Sequence, residues 1–319
     1  MGLPSLAGLD GGALGNRFSL VSSLPMSAGA LVVTFVVAAG APADEPSWDR
    51  AVRTARSMDA ADVGLLAVAV LVLAVLLHPM QLRLVRLFEG YWGGSRPAAW
   101  LAALLTHRQR LARRRLAERA ELDPDATTVP ADAADADRLR RARYPNEPLL
   151  PTALGNALRA AEQGAGRPYG LDAVVVWPRL YPLVSDRQRA VVEDRRDQVD
   201  LAVRMSATFA LVAVVTGALL WRHPTWWLVP LAASGLAVLA YRAAVAAAVA
   251  FGEALRVAFD LHRFDLLTAL HLPLPRGIEN ERGQNQRLST WLRQGGAAPE
   301  RYHHPDRPGD PAADPNGDP

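Results

Sequence analysis

Residues 205–241 read MSATFALVAVVTGALLWRHPTWWLVPLAASGLAVLAY and hold one charged side chain, Arg222. Arg222 divides two uncharged stretches, 205–221 and 223–241. About 20 apolar residues carry a helix across the hydrocarbon core of a bilayer. The first stretch is therefore at the short end of a span and the second is of full length. His223-Pro224-Thr225 interrupts the helical pattern and supplies a tight turn. Trp226, Trp227 and Tyr241 stand where the aromatic belts of the two membrane–water interfaces are expected. The stretch reads as a membrane helical hairpin with both outer ends on one side.

Each arm of the hairpin extends outward. Upstream, Ser185 and Gln188 have capping-box spacing and predict a helix start that runs on into residue 205. Residues 186–200 are charged on all faces, as in a solvated stalk. Downstream, the helical pattern continues past Tyr241 to about Leu272, where Pro273, Pro275 and Gly277 end it. Unbroken helices across 200–205 and 242–253 are expected.

Two more apolar stretches lie near the N-terminus. Residues 18–43 carry no charge, with ALVVTFVVAA at 30–39 as their core. They read as a span, or as a signal peptide with Arg17 in its n-region and Ala41-Pro42-Ala43 as a small-residue cleavage site. Residues 63–82 form the clearest span, bracketed by Asp62 and Arg83 and extended to 88. Arginines set the orientation. Arg83 and Arg86 follow the second span at once, and 89–204 and the region after Tyr241 are rich in arginine. The positive-inside rule then places 89–204 and the C-terminus on the cytoplasmic side of the cell membrane.

The expected fold is all-α: a multi-pass membrane protein with two N-terminal spans, a cytoplasmic helical region and a C-terminal hairpin with long helical extensions. Its parts are a tail (1–17), span 1 or a signal peptide (18–43), span 2 (63–88), a basic helix (89–120), an acidic flexible linker (121–137), a helical region with the stalk (138–204), the hairpin (205–241), a helical extension (242–275) and a largely disordered tail (276–319). Within 138–204, a short helix is expected from Thr152 to Glu162, and an apolar run from Leu171 to Trp177 that Pro178 stops.

Composition removes several chemistries. The chain of 319 residues has no cysteine, so thiolate nucleophiles, disulfides and iron–sulfur clusters are excluded. All 35 basic residues are arginine. No lysine is available for a P-loop, for kinase-type phosphate pairing or for a Schiff base. Gly8, Gly11, Gly12 and Gly15 follow no strand and precede no lysine, so they are not a phosphate loop. HExxH and GxSxG are absent, and neither a metal site nor a cofactor is expected.

Three stretches carry a family pattern: Pro79-Met80-Gln81-Leu82 through Phe88-Glu89-Gly90-Tyr91-Trp92; Pro151 through Leu183, with Leu154-Gly155-Asn156, Tyr169-Gly170-Leu171-Asp172 and Trp177-Pro178-Arg179-Leu180; and Val249 through Pro275. In these the chain resembles a family of actinobacterial multi-pass membrane proteins, over much of residues 60–290. The resemblance implies a shared architecture and a membrane location, and it brings no activity with it.

Four features carry candidate chemistry. Arg108, Arg110, Arg113, Arg114 and Arg115 follow a span and suit contact with anionic lipid headgroups. Aromatic residues do not interleave them, which disfavours nucleic acid. Glu253, Arg256, Asp260 and Arg263 share a helix face at spacings that allow pairing. With His262 and Asp265 they form a candidate polar site at the membrane edge, and His271 is close by; a solubilising charge ladder is the alternative. Ala240, Ala244, Ala248 and Gly252 make a small-residue stripe that lets helices approach, within the chain or in a homo-oligomer. Trp177 with Val174-Val175-Val176 reads as a packing element.

No catalytic residue is assigned, and the spans are nearly free of ionisable groups. The expected function is a non-catalytic scaffold, sensor or assembly partner, with the bilayer and another membrane protein or a second copy as partners. The alternatives are an enzyme or transporter acting on a lipid or small solute at the cytoplasmic face, and an oligomeric pore.

Overall fold

The computed structural model describes residues 15–65, 68, 86–92, 95–120, 131–146, 148–295 and 302, with side chains from residue 27 onward. Nine helices order the description: α1 Gly15–Ala38, α2 Trp48–Ser57, α3 Arg96–Ala120, α4 Ala131–Arg143, α5 Ala153–Gly164, α6 Ala173–Leu180, α7 Asp186–Leu219, α8 Leu228–Ala269 and α9 Ile278–Gln294. Among the described residues there is no strand, so the fold is all-helical. Two helices, α7 and the one ending at Ala269, are long and apolar enough to cross a membrane. Most of the 63–82 stretch, the phosphate-loop-like glycines before Gly15, residues 121–130 of the linker, and His303-His304 lie outside the described residues.

The chain forms two compact units, Met1–Ala161 with Glu193–Gly252, and Glu162–Val192 with Glu253–Pro319. Helices α5, α7 and α8 each contribute to both. Neither α7 nor α8 is broken at 200–205 or 242–253.

In the first unit α7 and α8 run antiparallel. Ser206 Oγ donates to the Ala237 carbonyl at 3.0 Å, and Trp227 Nε1 donates to the Leu220 carbonyl at 3.1 Å, closing the turn. Ser206 is 3% exposed, and its hydroxyl left unpaired there would cost roughly 1–3 kcal/mol. α1 joins them near the turn. Val36, Ala41 and Leu220 are buried there with Phe35, Trp226 and Val229 packed around them. The helix ends at Ala38 rather than reaching residue 43, because Gly40 turns the chain at φ 119° and Arg50, paired with Asp44 at 2.7 Å, closes over it.

α5 packs tightly in this unit, with Leu154 through Leu158, Ala160 and Ala161 all buried. A side chain on Gly155 would meet the Glu89 carbonyl oxygen at 2.0 Å, and one on Gly252 would meet Ala161 Cβ at 2.8 Å. Only glycine allows these approaches. Asn156, fully buried, returns both halves of its amide to the Leu150 backbone. α4 occupies 131–143, so the second half of the expected linker is helical. Its alanines at 133, 136 and 142 are buried, and the hydrogen bond from Arg140 holds the Asp137 carboxyl below its usual range.

The second unit takes the later part of the middle stretch, with Tyr169-Gly170-Leu171-Asp172 and Trp177-Pro178-Arg179-Leu180. Pro178 does not stop the chain: α6 passes through it to Leu180. The one hydrogen bond it forfeits is outweighed by packing, since Ala173, Val176, Trp177 and Leu180 share a buried face. Trp177 stacks on Phe259 with ring centres 6.1 Å apart. The Ser185–Gln188 capping box does not form. Gln188 donates to the Ala254 carbonyl, and the Ser185 amide faces His262. Residues 278–294, expected in a disordered tail, form α9.

Candidate functional site

The polar residues of the second unit gather where α8 and α9 meet the 167–172 segment. Gly170, at φ 78°, lets that segment turn against α9, where a side chain would meet the Arg282 carbonyl oxygen at 2.5 Å. Tyr169 then points its hydroxyl at α8 and donates to Asp260 at 2.8 Å. Burial first, and the Asp260 carboxylate second, push the Tyr169 phenol above its usual pKa, so it stays a donor.

Arg263 covers the Tyr169 ring at 4.1 Å and donates to Glu281 of α9 at 2.7 Å. Glu281 is only 5% exposed, so this pair crosses from α8 to α9 largely out of water. It was expected to pair along its own helix with Asp260. Arg263 bonds instead to the Asp260 backbone carbonyl, and the Asp260 carboxylate goes to Tyr169.

The remaining α8 residues pair locally. Arg256 donates to Glu253 at 2.6 Å. His262 Nδ1 lies 2.7 Å from Asp265, and its Nε2 faces the Ser185 amide at 3.4 Å. An acceptor role for Nε2 leaves Nδ1 as the donor to Asp265, and both ring nitrogens are then engaged. The five residues Glu253, Arg256, Asp260, His262 and Asp265 thus do not converge on one point. They form three separate partnerships along the helix.

The side chains that join the elements were not legible as site residues. Gln284 donates to the Pro273 carbonyl, Asn285 to the Tyr169 carbonyl, Ser289 accepts from the Asp172 amide, and Arg293 pairs with the Asp172 carboxylate. Asp172 also caps α6 through the Val174 amide at 3.0 Å. A cleft of about 350 Å³ opens beside the Asp172–Arg293 pair. Among the described residues no three His, Asp or Glu side chains converge as metal ligands would.

The other sequence candidates lie in the first unit. Ala240, Ala244, Ala248 and Gly252 are all buried, with Gly252 against Ala161 of α5. The hydroxyl of Tyr241, beside them, accepts from the Leu154 amide at 3.2 Å. Of the arginines on α3, Arg108, Arg110, Arg114 and Arg115 are exposed, whereas Arg113 is half-buried and donates to the Asn146 carbonyl. No protein-family model, no curated protein and no solved structure matches the chain.

Proposed function

We propose that the chain is a multi-pass protein of the cell membrane that works without catalysis, as a scaffold, sensor or assembly partner acting through its cytoplasmic helices. One observation carries the reading: its most motif-like residues are used for packing. Gly155 admits the Glu89 backbone and Gly90 the Pro151 ring, Asn156 seals a turn, Gly170 and Asp172 seat α9, and Trp177 fills the core of its unit. Asp260, His262 and Asp265, which an enzyme or transporter would need at its substrate, are held by protein partners.

Exposure supports membrane embedding. The most apolar windows of the two long helices are only 28% and 33% buried. A core helix of a water-soluble protein would bury most of such a window. Leu211 and Val214 on α7 and Leu228, Leu231 and Leu239 on α8 are instead exposed, as side chains facing lipid would be. The resemblance to actinobacterial multi-pass membrane proteins and the arginine distribution support the multi-pass, cytoplasm-facing arrangement.

Crosslinking in native membranes followed by purification in detergent tests the reading. The expected result is a crosslinked species containing a second copy or another membrane protein. A strictly monomeric protein that captures no partner contradicts it. Asp260→Asn and His262→Ala should leave the cellular phenotype intact; loss of phenotype at unchanged protein level would restore the enzyme or transporter reading.

A further inference from the structure

Helix α3 has no buried residue along its 25 residues, although it packs on α4. Its half-buried positions, Ala102, Leu105, Gln109, Ala112, Arg113 and Leu116, recur at helical spacing and make one side of the helix. The other side exposes Trp100 at 67%, Leu101, Leu104 and Leu111. Further along that side come Arg108, Arg114 and Arg115, all exposed, with Arg110 and Arg119 at its margins. The helix holds seven arginines and one carboxylate, Glu118. It is therefore a basic helix whose outward side presents apolar side chains from Trp100 to Leu111 and arginines from Arg108 to Arg115.

We infer that this face lies in the surface of an anionic bilayer, with Trp100, Leu101, Leu104 and Leu111 among the acyl chains and Arg108, Arg114 and Arg115 on phospholipid phosphates. The inference rests on the membrane reading above and adds a surface site to it. Charge complementarity selects the occupant. A second copy of the helix would bring clusters of like charge together, which opposes association, whereas an anionic leaflet attracts each arginine near its surface. Sequence position agrees: twelve residues separate Arg83, at the end of an apolar stretch, from Arg96. Exposed tryptophan and leucine on a helix of this charge are what interfacial helices insert. Arg113, tied to Asn146, takes no part.

The absence of cysteine makes a direct test available in the full chain. Leu104→Cys, Leu111→Cys, Asp135→Cys and Val214→Cys are labelled singly with a polarity-sensitive fluorophore. Each is reconstituted in phosphatidylcholine vesicles with or without phosphatidylglycerol, and quenching by a nitroxide-bearing lipid is measured. The expected result is quenching at 104 and 111 about threefold above that at 135 when phosphatidylglycerol is present. Combining Arg108→Gln, Arg114→Gln and Arg115→Gln should bring the signal at 111 down to the level at 135; no change would overturn the phosphate contacts. Lipid quenching at 214 without quenching at 104 and 111 overturns the inference and leaves the membrane reading standing. Protection of 104 and 111 from aqueous iodide without lipid quenching also overturns it, in favour of a second copy on this face. No lipid quenching at 214 removes the membrane reading, and the inference with it.

Discussion

Gly155 has no room for a methyl group, since its first carbon would fall 2.0 Å from the Glu89 oxygen. Backbone must move to admit it, and overpacking of this kind costs about 3 kcal/mol or more. Gly155→Ala should therefore lower the thermal midpoint in detergent by many degrees despite the ~1 kcal/mol that alanine gains in a helix. An unchanged midpoint would show that α5 does not approach residue 89. Asp197 shows a different kind of local constraint. Burial, then Asp200, Glu193 and Asp194, raise its carboxyl to about 6. The folded state thus binds a proton that the unfolded chain, with a pKa near the ordinary 3.8, releases. The sign follows: as pH falls from above 6 toward 4, this group adds stability, and that contribution is lost as pH rises through about 6. Asp197→Asn should raise the midpoint at pH 7.5 and flatten its dependence between pH 4 and 6. A midpoint that drops on substitution would contradict the assignment.

Among the elements, α9 is held by polar groups, and its Arg263–Glu281 ion pair, at 19% and 6% exposed, is more buried than the Arg293–Asp172 pair, at 59% and 26%. Breaking a buried pair from one side leaves an uncompensated charge, at a cost of ~3–5 kcal/mol. Arg263→Ala should detach α9 and expose residues 278–294 to proteolysis. Arg256→Ala breaks a pair whose carboxylate is 55% exposed and should change stability by under ~1 kcal/mol. Similar losses from both would refute this difference. The same contrast explains what was legible in the sequence. The hairpin, α5 and the extension past Tyr241 announce themselves through apolar residues and their Pro and Gly boundaries, and the stalk through a capping-box spacing whose Gln188 side chain then bonds elsewhere. α9 does not, because four of its five buried positions, Glu281, Gln284, Asn285 and Ser289, are polar and only Leu288 is apolar. Their spacing is helical, but a hydrophobic period cannot register it. The Tyr169–Asp260 contact joins residues 91 apart in sequence, and no local spacing encodes that. Arg263 illustrates the limit from the other side: its helix offers Asp260 three residues away, and tertiary structure supplies Glu281 instead.

At the scale of the whole molecule, the proposed membrane arrangement is a hairpin formed by the apolar parts of α7 and α8, with the turn at 220–227 on the far side of a membrane and both outer ends on the near side. The hairpin puts its two outer ends on one side, which is proposed to be cytoplasmic from the arginine distribution. Single cysteines in this cysteine-free chain read it directly. Asp135→Cys, Thr225→Cys and Glu279→Cys, all at exposed positions, can be challenged with a membrane-impermeant maleimide in oriented vesicles, with Val214→Cys, exposed on the apolar part of α7, as the lipid-facing reference. Residues 135 and 279 are expected to react only from the cytoplasmic face, residue 225 only from the opposite face, and residue 214 from neither. Reaction of residues 225 and 279 from the same face would contradict this arrangement.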